Sequence, residues 1–172
     1  MNILVWVPNY SLGGGSRLFI KLINTMIANP RVDTIELIML QKSFDEIKNK
    51  VSNDKIKIYV VPQRKTSWID KGGRIYSIPG TGLLKRVLRE SYERKYEKEK
   101  KNRILDVFKK SRCDIIYCFW PHSQKFIKAR VPIVCTLHDT IVFEFPELGG
   151  AYFTNVEKNI IKEWLINSTK VI

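Results

Sequence analysis

Two histidines of this chain are suited to proton chemistry, because each follows an apolar run typical of a buried strand. His138 is the candidate catalytic residue, since it ends the run VPIVCTL and Asp139 comes next. An imidazole beside a carboxylate can accept or hold a proton near neutral pH. His122 follows the run IIYCFWP without an evident carboxylate nearby. A structural histidine is the alternative for both positions, with more weight at His122.

A run of three glycines is the second candidate site. It separates the apolar run at 3–7 from a helical pattern that Ser16 could cap, and its members are Gly13, Gly14 and Gly15. Main-chain N–H groups at a helix N-terminus favour an anion, and glycine lets a phosphate approach closely. The alternative is a tight turn that needs glycine for steric reasons alone.

The glycine loop departs from the two common nucleotide motifs. Leu18 stands where a dinucleotide fingerprint has its last glycine or alanine, and Leu40-Gln41 stands where that motif has an acid. No G-K-[ST] follows the glycines, which excludes a P-loop. A nucleotide-dependent oxidoreductase is therefore disfavoured.

Metal chemistry is not expected. A zinc site would draw on Cys113, Cys118, Cys135, His122 and His138, but no C-x-x-C is present. Cys113 and Cys118 are moreover expected on opposite faces of one strand. No D-x-D motif could hold a metal diphosphate. We therefore expect neither a metal nor a cofactor.

Two further patterns are weaker. Asp139, Glu144 and Glu147 could imitate the carboxylate pair of a glycoside hydrolase, but spacing on a loop fixes no separation. The odd number of cysteines, three, argues against a disulfide framework and favours reduced thiols.

The order of apolar runs predicts an α/β fold: a doubly wound, mainly parallel, Rossmann-like sheet in one domain, 1–172. In such sheets, ligands bind beyond the carboxyl ends of the strands. If the first strand neighbours the strand at 113–120, the glycines, His122 and His138 line one crevice. The predicted strands are 3–7, 33–40, 55–62, 113–122, 131–139 and 169–172, with helices from Ser16 to about 28, at 83–110 and 155–168, and a possible helical turn at 42–51.

A basic segment carries much of the net charge of +13. Residues 83–112 hold twelve basic and five acidic side chains on an amphipathic helical pattern. Such a helix suits an anionic membrane surface. Nucleic acid would be attracted by the same charge, but no nucleic-acid signature accompanies it, and a solvated face is the third alternative. The candidate membrane contacts are Lys85, Arg86, Arg89, Arg94 and Lys95.

The N-terminus lacks the features of a signal peptide, and no apolar run is long enough to span a bilayer. We therefore expect a cytoplasmic protein that is peripheral on the inner face of the cell membrane.

Taken in order, three short motifs resemble the N-terminal domain of GT-B fold glycosyltransferases, closest to family 4, the "group 1" class. They are the glycines at 13–15, the strand end PIVCTLHD at 132–139 and the tripeptide FPE at 145–147. The resemblance spans the whole chain, and the last two motifs are its most specific part.

This resemblance implies an acceptor-binding domain that faces a donor-binding domain across a cleft. Transfer from a nucleotide-sugar donor to a lipid-linked or glycan acceptor would be metal-independent and would retain the anomeric configuration, in cell-surface polysaccharide or glycolipid synthesis. His138 would contact the transferred sugar near the reacting carbon. The residues implied to face the substrate or donor phosphate are Gly13, Gly14, Gly15, Ser16, Asp139, His122 and Glu147.

By this resemblance, we expect the donor-binding C-terminal domain of that family to be absent from residues 1–172. We therefore expect the isolated chain to be inactive. The alternative function is a non-catalytic, basic Rossmann-like binding module for nucleic acid or an anionic membrane.

Overall fold

The computed structural model describes residues 1–7, 15–51, 53–61, 82–121, 124–137, 141–145, 147 and 151–172. The side chains of residues 82–86, 88, 89, 141, 142 and 151–153 lie outside this description. The strands are β1 (Asn2–Val7), β2 (Thr34–Leu40), β3 (Ile56–Val61), β4 (Ile115–Cys118), β5 (Ile133–Cys135) and β6 (Lys170–Val171). The helices are α1 (Ser16–Ala28), α2 (Gln41–Ile47), α3 (Gly82–Lys110), α4 (Ile141–Glu144) and α5 (Ala151–Asn167).

The described strands form one sheet in the order β3-β2-β1-β4-β5-β6, and every neighbouring pair is parallel. From β1, the chain adds β2 and then β3 on one side of the sheet, and afterwards adds β4, β5 and β6 on the other side. The direction in which strands are added therefore reverses between β1 and β4. This is the arrangement of Rossmann-like doubly wound sheets, in which ligands bind at the reversal. The predicted α/β fold class is therefore confirmed.

Both faces of the sheet are buried, which explains why β1 is apolar at successive positions rather than alternate ones. Its odd-numbered residues pack with Phe19 and Ile23 of α1. Its even-numbered residues pack with Ile104 of α3 and Trp164 of α5. The core thus consists of two layers, one on each side of the sheet.

The connection from β4 to β5 contains no helix over the described residues 124–132. It is instead an irregular segment that buries Ile127 and places Phe126 against Trp164, with ring centroids 5.0 Å apart. Residues 124–127 of this segment line a groove beside α3.

The long basic helix predicted at 83–110 is confirmed as α3, which has 29 residues and is about 43 Å long. Its second half packs on the sheet through Ile104 and Phe108, whose ring lies 5.5 Å from that of Trp6. Since β1 has six residues and spans about 20 Å, the first half of α3 extends past the carboxyl ends of the strands.

Several predicted boundaries were wrong. The strands expected at 113–122 and 131–139 are shorter, because parallel pairing covers only Ile115–Cys118 and Ile133–Cys135. Ser16 is the first residue of α1 rather than its cap, since Gly15 occupies the N-cap position. The helix expected to start at 155 already begins at Ala151.

Candidate functional site

The carboxyl ends of β1, β4 and β5 lie side by side. The amide N of Phe119 donates to the carbonyl O of Trp6 at 3.0 Å, which joins the end of β4 to β1. The amide N of Thr136 donates to the carbonyl O of Cys118 at 3.1 Å, which joins the end of β5 to β4. The neighbouring strand ends required for the predicted crevice are therefore present.

Most of the predicted site residues lie outside the described part of the chain. They are Gly13, Gly14, His122, His138 and Asp139. The chain positions that flank them are described, namely Val7, Pro121 and Leu137, and each follows or ends one of the three adjacent strands. The described residues that flank the three segments thus lie at one edge of the sheet, and the site residues themselves stay sequence predictions.

Gly15 and Ser16 are described at the start of α1. Gly15 has φ −71° and ψ −11°, and a Cβ added to it would meet no atom within 4 Å. Neither backbone strain nor crowding therefore requires glycine at position 15. No side chain caps this helix end, and its first turn holds no acidic residue that would repel an anion.

The end of β4 is held rigidly by aromatic and polar contacts. The hydroxyl groups of Tyr117 and Thr136 share a hydrogen bond across β4 and β5. Phe119 packs edge-to-face on Phe19 of α1, with centroids 4.9 Å apart. Burial raises the pKa of Tyr117 above its ordinary value, which favours the protonated hydroxyl that this hydrogen bond requires. These contacts join the end of β4 to the end of β5 and to α1.

Two buried polar residues near this edge were missed in the sequence. Thr154 and Glu157 of α5 are 3% and 1% exposed. α5 runs antiparallel to the strands it connects, so its first half lies towards their carboxyl ends. Their three-residue spacing continues the buried stripe of Ile160, Ile161 and Trp164, and polar residues on an apolar helical stripe were the available signal. A glutamate as fully buried as Glu157 is rare in proteins unless it is paired.

Glu147, the remaining described site candidate, has an exposed side chain. Glu144, which could serve in a carboxylate pair, is also exposed. Solvent exposure leaves both side chains accessible to a substrate.

The expected placement of two cysteines on opposite faces was wrong. Cys113 and Cys118 pack in the same core layer as Cys135, because Cys113 precedes β4 and does not share its alternation. All three thiols are free and buried, and burial raises their pKa values, most strongly for Cys118. Within the described ranges, no group of three potential ligands gathers as at a metal site.

The structure describes the side chains of two of the five predicted membrane-contact residues. Arg94 and Lys95 of α3 are exposed, and the side chain of Arg94 is 82% exposed. The backbone of Lys85, Arg86 and Arg89 belongs to α3, but their side chains lie outside the described part. Val87 is 55% exposed and, at a seven-residue spacing, lies on the same helix face as Arg94. An apolar residue therefore accompanies basic residues on this face.

The structure adds basic residues that the linear charge pattern did not indicate. The segment between β4 and β5 exposes Lys125, Lys128 and Arg130. A groove of about 630 Å³ separates Lys125 from the basic residues of α3. The basic surface is thus built from two parts of the chain rather than from one helix.

Among the described helices, none combines the length and apolarity needed to cross a bilayer. Comparison with known proteins found no matching family model, curated protein or solved structure.

Proposed function

We propose that this chain is the acceptor-side domain of a nucleotide-sugar-dependent glycosyltransferase of the GT-B type that acts at an anionic membrane surface. The observation that carries the proposal is the adjacency of β1, β4 and β5 at their carboxyl ends. This adjacency is what the glycine segment, His122 and His138 need in order to face one cleft. The adjacency of the strands supports the placement of the site, whereas the proposed chemistry rests on the motif residues.

In the proposed reaction, the glycine segment faces the donor diphosphate, and open space beside Gly15 is compatible with a close approach. His138 contacts the transferred sugar near the reacting carbon. The donor itself is held chiefly by a partner domain, and no metal takes part. The acceptor is a lipid-linked glycan or glycolipid precursor.

The test is sugar transfer by the whole product of the gene that encodes this chain. A panel of labelled nucleotide-sugars is incubated with membrane lipid extract, and incorporation into lipid is measured. Replacement His138→Ala is expected to lower incorporation at least about 100-fold. The exposed Lys110→Ala, at the opposite end of the sheet, is the control and should keep full activity. Absence of transfer from every donor would contradict the proposal.

Membrane attachment is tested separately, with vesicles that contain phosphatidylglycerol. Charge reversal of Lys85, Arg86 and Arg89 is expected to weaken binding markedly, since each basic residue near the surface contributes about 1 kcal/mol. The matched control reverses the same number of charges at the exposed residues Lys109, Lys110 and Arg112. Equal losses in the two variants would show that net charge, and not the first half of α3, determines binding.

The alternative of a nucleic-acid-binding module draws on the same basic surface. It predicts an affinity for RNA or DNA that falls steeply with salt and exceeds the affinity for anionic vesicles. Weaker binding to nucleic acid than to vesicles at equal salt would favour the membrane proposal.

A further inference from the structure

The groove beside α3 has two walls from distant parts of the sequence. One wall is α3, from Glu90 to Lys101; the other is the irregular segment 124–127, with Ile160 of α5 next to it. The groove has a volume of about 630 Å³, which is within the usual range for small-molecule sites. Among the described residues, the segment that forms this second wall is irregular rather than helical.

One part of the groove is basic on both walls. Arg94, Lys98 and Lys101 follow one another at spacings of four and three residues, so they lie on one face of α3 over about 10 Å. Lys125 lies in the opposite wall. In the part of the chain that the structure describes, Lys98, Lys101 and Lys125 form no ion pair.

Three glutamates of α3 also line the groove, namely Glu90, Glu93 and Glu97. A carboxylate oxygen of Glu97 lies 3.6 Å from Nζ of Lys100, which is buried. A carboxylate oxygen of Glu90 lies 3.7 Å from the Arg94 guanidinium. The lining thus has four basic and three acidic side chains, and because Glu97 is paired with Lys100 and Glu90 with Arg94, the basic charge of Lys98, Lys101 and Lys125 is not offset by these two pairs.

The groove is also lined by apolar side chains. Phe126 is half-buried, while Ile127 and Ile160 are 4% and 9% exposed. Phe126 is fixed by its edge-to-face contact with Trp164, and the amide N of Phe126 lies 3.3 Å from an oxygen of Glu163, to which it donates. A preformed apolar surface thus adjoins the group of lysines.

We propose that this groove binds one molecule of an anionic amphiphile. A phosphate or carboxylate head lies among Lys98, Lys101 and Lys125, and the hydrocarbon part lies against Phe126 and Ile127. Charge complementarity selects the head, and the apolar wall selects a chain over a free ion. The inference rests on the membrane part of the proposed function for its biological source, and it does not depend on sugar transfer.

The probe is decyl phosphate below its critical micelle concentration, titrated into the labelled protein and followed by amide chemical shifts. We expect saturable shifts at 94–101 and 124–127. Decanol and inorganic phosphate serve as probes that each lack one half of the ligand, and both should bind at least about tenfold more weakly. Equal affinity for either of them would overturn the proposal, and this comparison needs no variant.

The matched variants remove two lysines each from the same helix. Lys98→Ala with Lys101→Ala should weaken decyl phosphate at least about tenfold, whereas Lys109→Ala with Lys110→Ala should change its affinity less than about twofold. Equal weakening in both would indicate a general effect of charge and overturn the site.

A vesicle arm distinguishes the two sources of the amphiphile. If the Lys98 and Lys101 variant also loses binding to phosphatidylglycerol vesicles, the ligand is a bilayer headgroup. If only decyl phosphate is affected, the ligand is a free amphiphile, and the groove site stands even where vesicle attachment fails. Decyl phosphate binding therefore separates failure of this site from failure of the proposed membrane function.

Discussion

The indole N–H of Trp164 donates a 2.6 Å hydrogen bond to the main-chain carbonyl of Gln124. The bond is buried and joins α5 to the irregular connection between β4 and β5 across 40 residues of sequence. The same indole contacts the rings of Trp6 and Phe126 at 5.2 Å and 5.0 Å. Trp164 therefore packs against the sheet and also holds the irregular segment that forms one wall of the groove.

Replacement Trp164→Phe should destabilise the protein by about 2–4 kcal/mol, because it leaves a buried carbonyl without its donor and opens space in the core. The free energy of unfolding is measured by urea denaturation. Ile166→Ala serves as control, since Ile166 is 80% exposed on the same helix and its loss should cost less than about 0.5 kcal/mol. Similar costs for the two variants would contradict the anchoring role of Trp164.

Gly15→Ala should leave the free energy of unfolding within about 1 kcal/mol of the wild type, since φ is negative and the added methyl group meets no atom within 4 Å. Phe19→Ala, one turn further along α1, removes a fully buried ring and should cost about 3–5 kcal/mol. A large loss of stability in Gly15→Ala would restore the interpretation of this glycine as sterically required.

The hydrogen bond between the Tyr117 and Thr136 hydroxyl groups is accessible to a double-mutant cycle. Thr136→Val should cost about 1–2 kcal/mol, because it leaves the buried Tyr117 hydroxyl without its partner. In the background of Tyr117→Phe, the same substitution should cost clearly less. Additive costs in the double variant would show that the two hydroxyl groups do not stabilise each other.

Stability should fall as pH rises above about 9. Burial raises the pKa of Cys118 well above its ordinary value of 9.0, so the folded chain keeps this proton while the unfolded chain loses it. Fewer protons bound in the unfolded state mean that the free energy of unfolding decreases with pH. The contribution is fully present below pH 9 and is lost as pH approaches the folded-state pKa.

The measurement compares urea unfolding at pH 8 and pH 10 for the wild type and Cys118→Ala. The variant should lose less stability between the two pH values, whatever its absolute stability. The comparison also cancels the change in net charge as the pH passes the isoelectric point near 9.7. An equal decrease in both proteins would exclude the Cys118 thiol as a source of the pH dependence.

The sequence was sufficient to predict the sheet and most helices. Apolar runs such as 3–7 can only be satisfied by helices on both sides, and strands that alternate with helices favour parallel pairing. The strands β4 and β5 were predicted too long, because apolar residues such as Phe119 continue beyond the last strand pair. The side-chain pattern does not show where the hydrogen-bonded pairing of the strands stops. The same limit explains the misplaced faces of Cys113 and Cys118.

What the sequence determined by itself is therefore the fold class, the basic helix and the set of residues suited to chemistry. The tertiary structure decided which of these come together: β1 lies beside β4, three thiols share one core layer, and Lys125 faces Lys98 and Lys101 across a groove. The physical reason is that local periodicity fixes which face of an element is apolar. Only the packing of whole elements fixes which polar and charged groups are left beside one another.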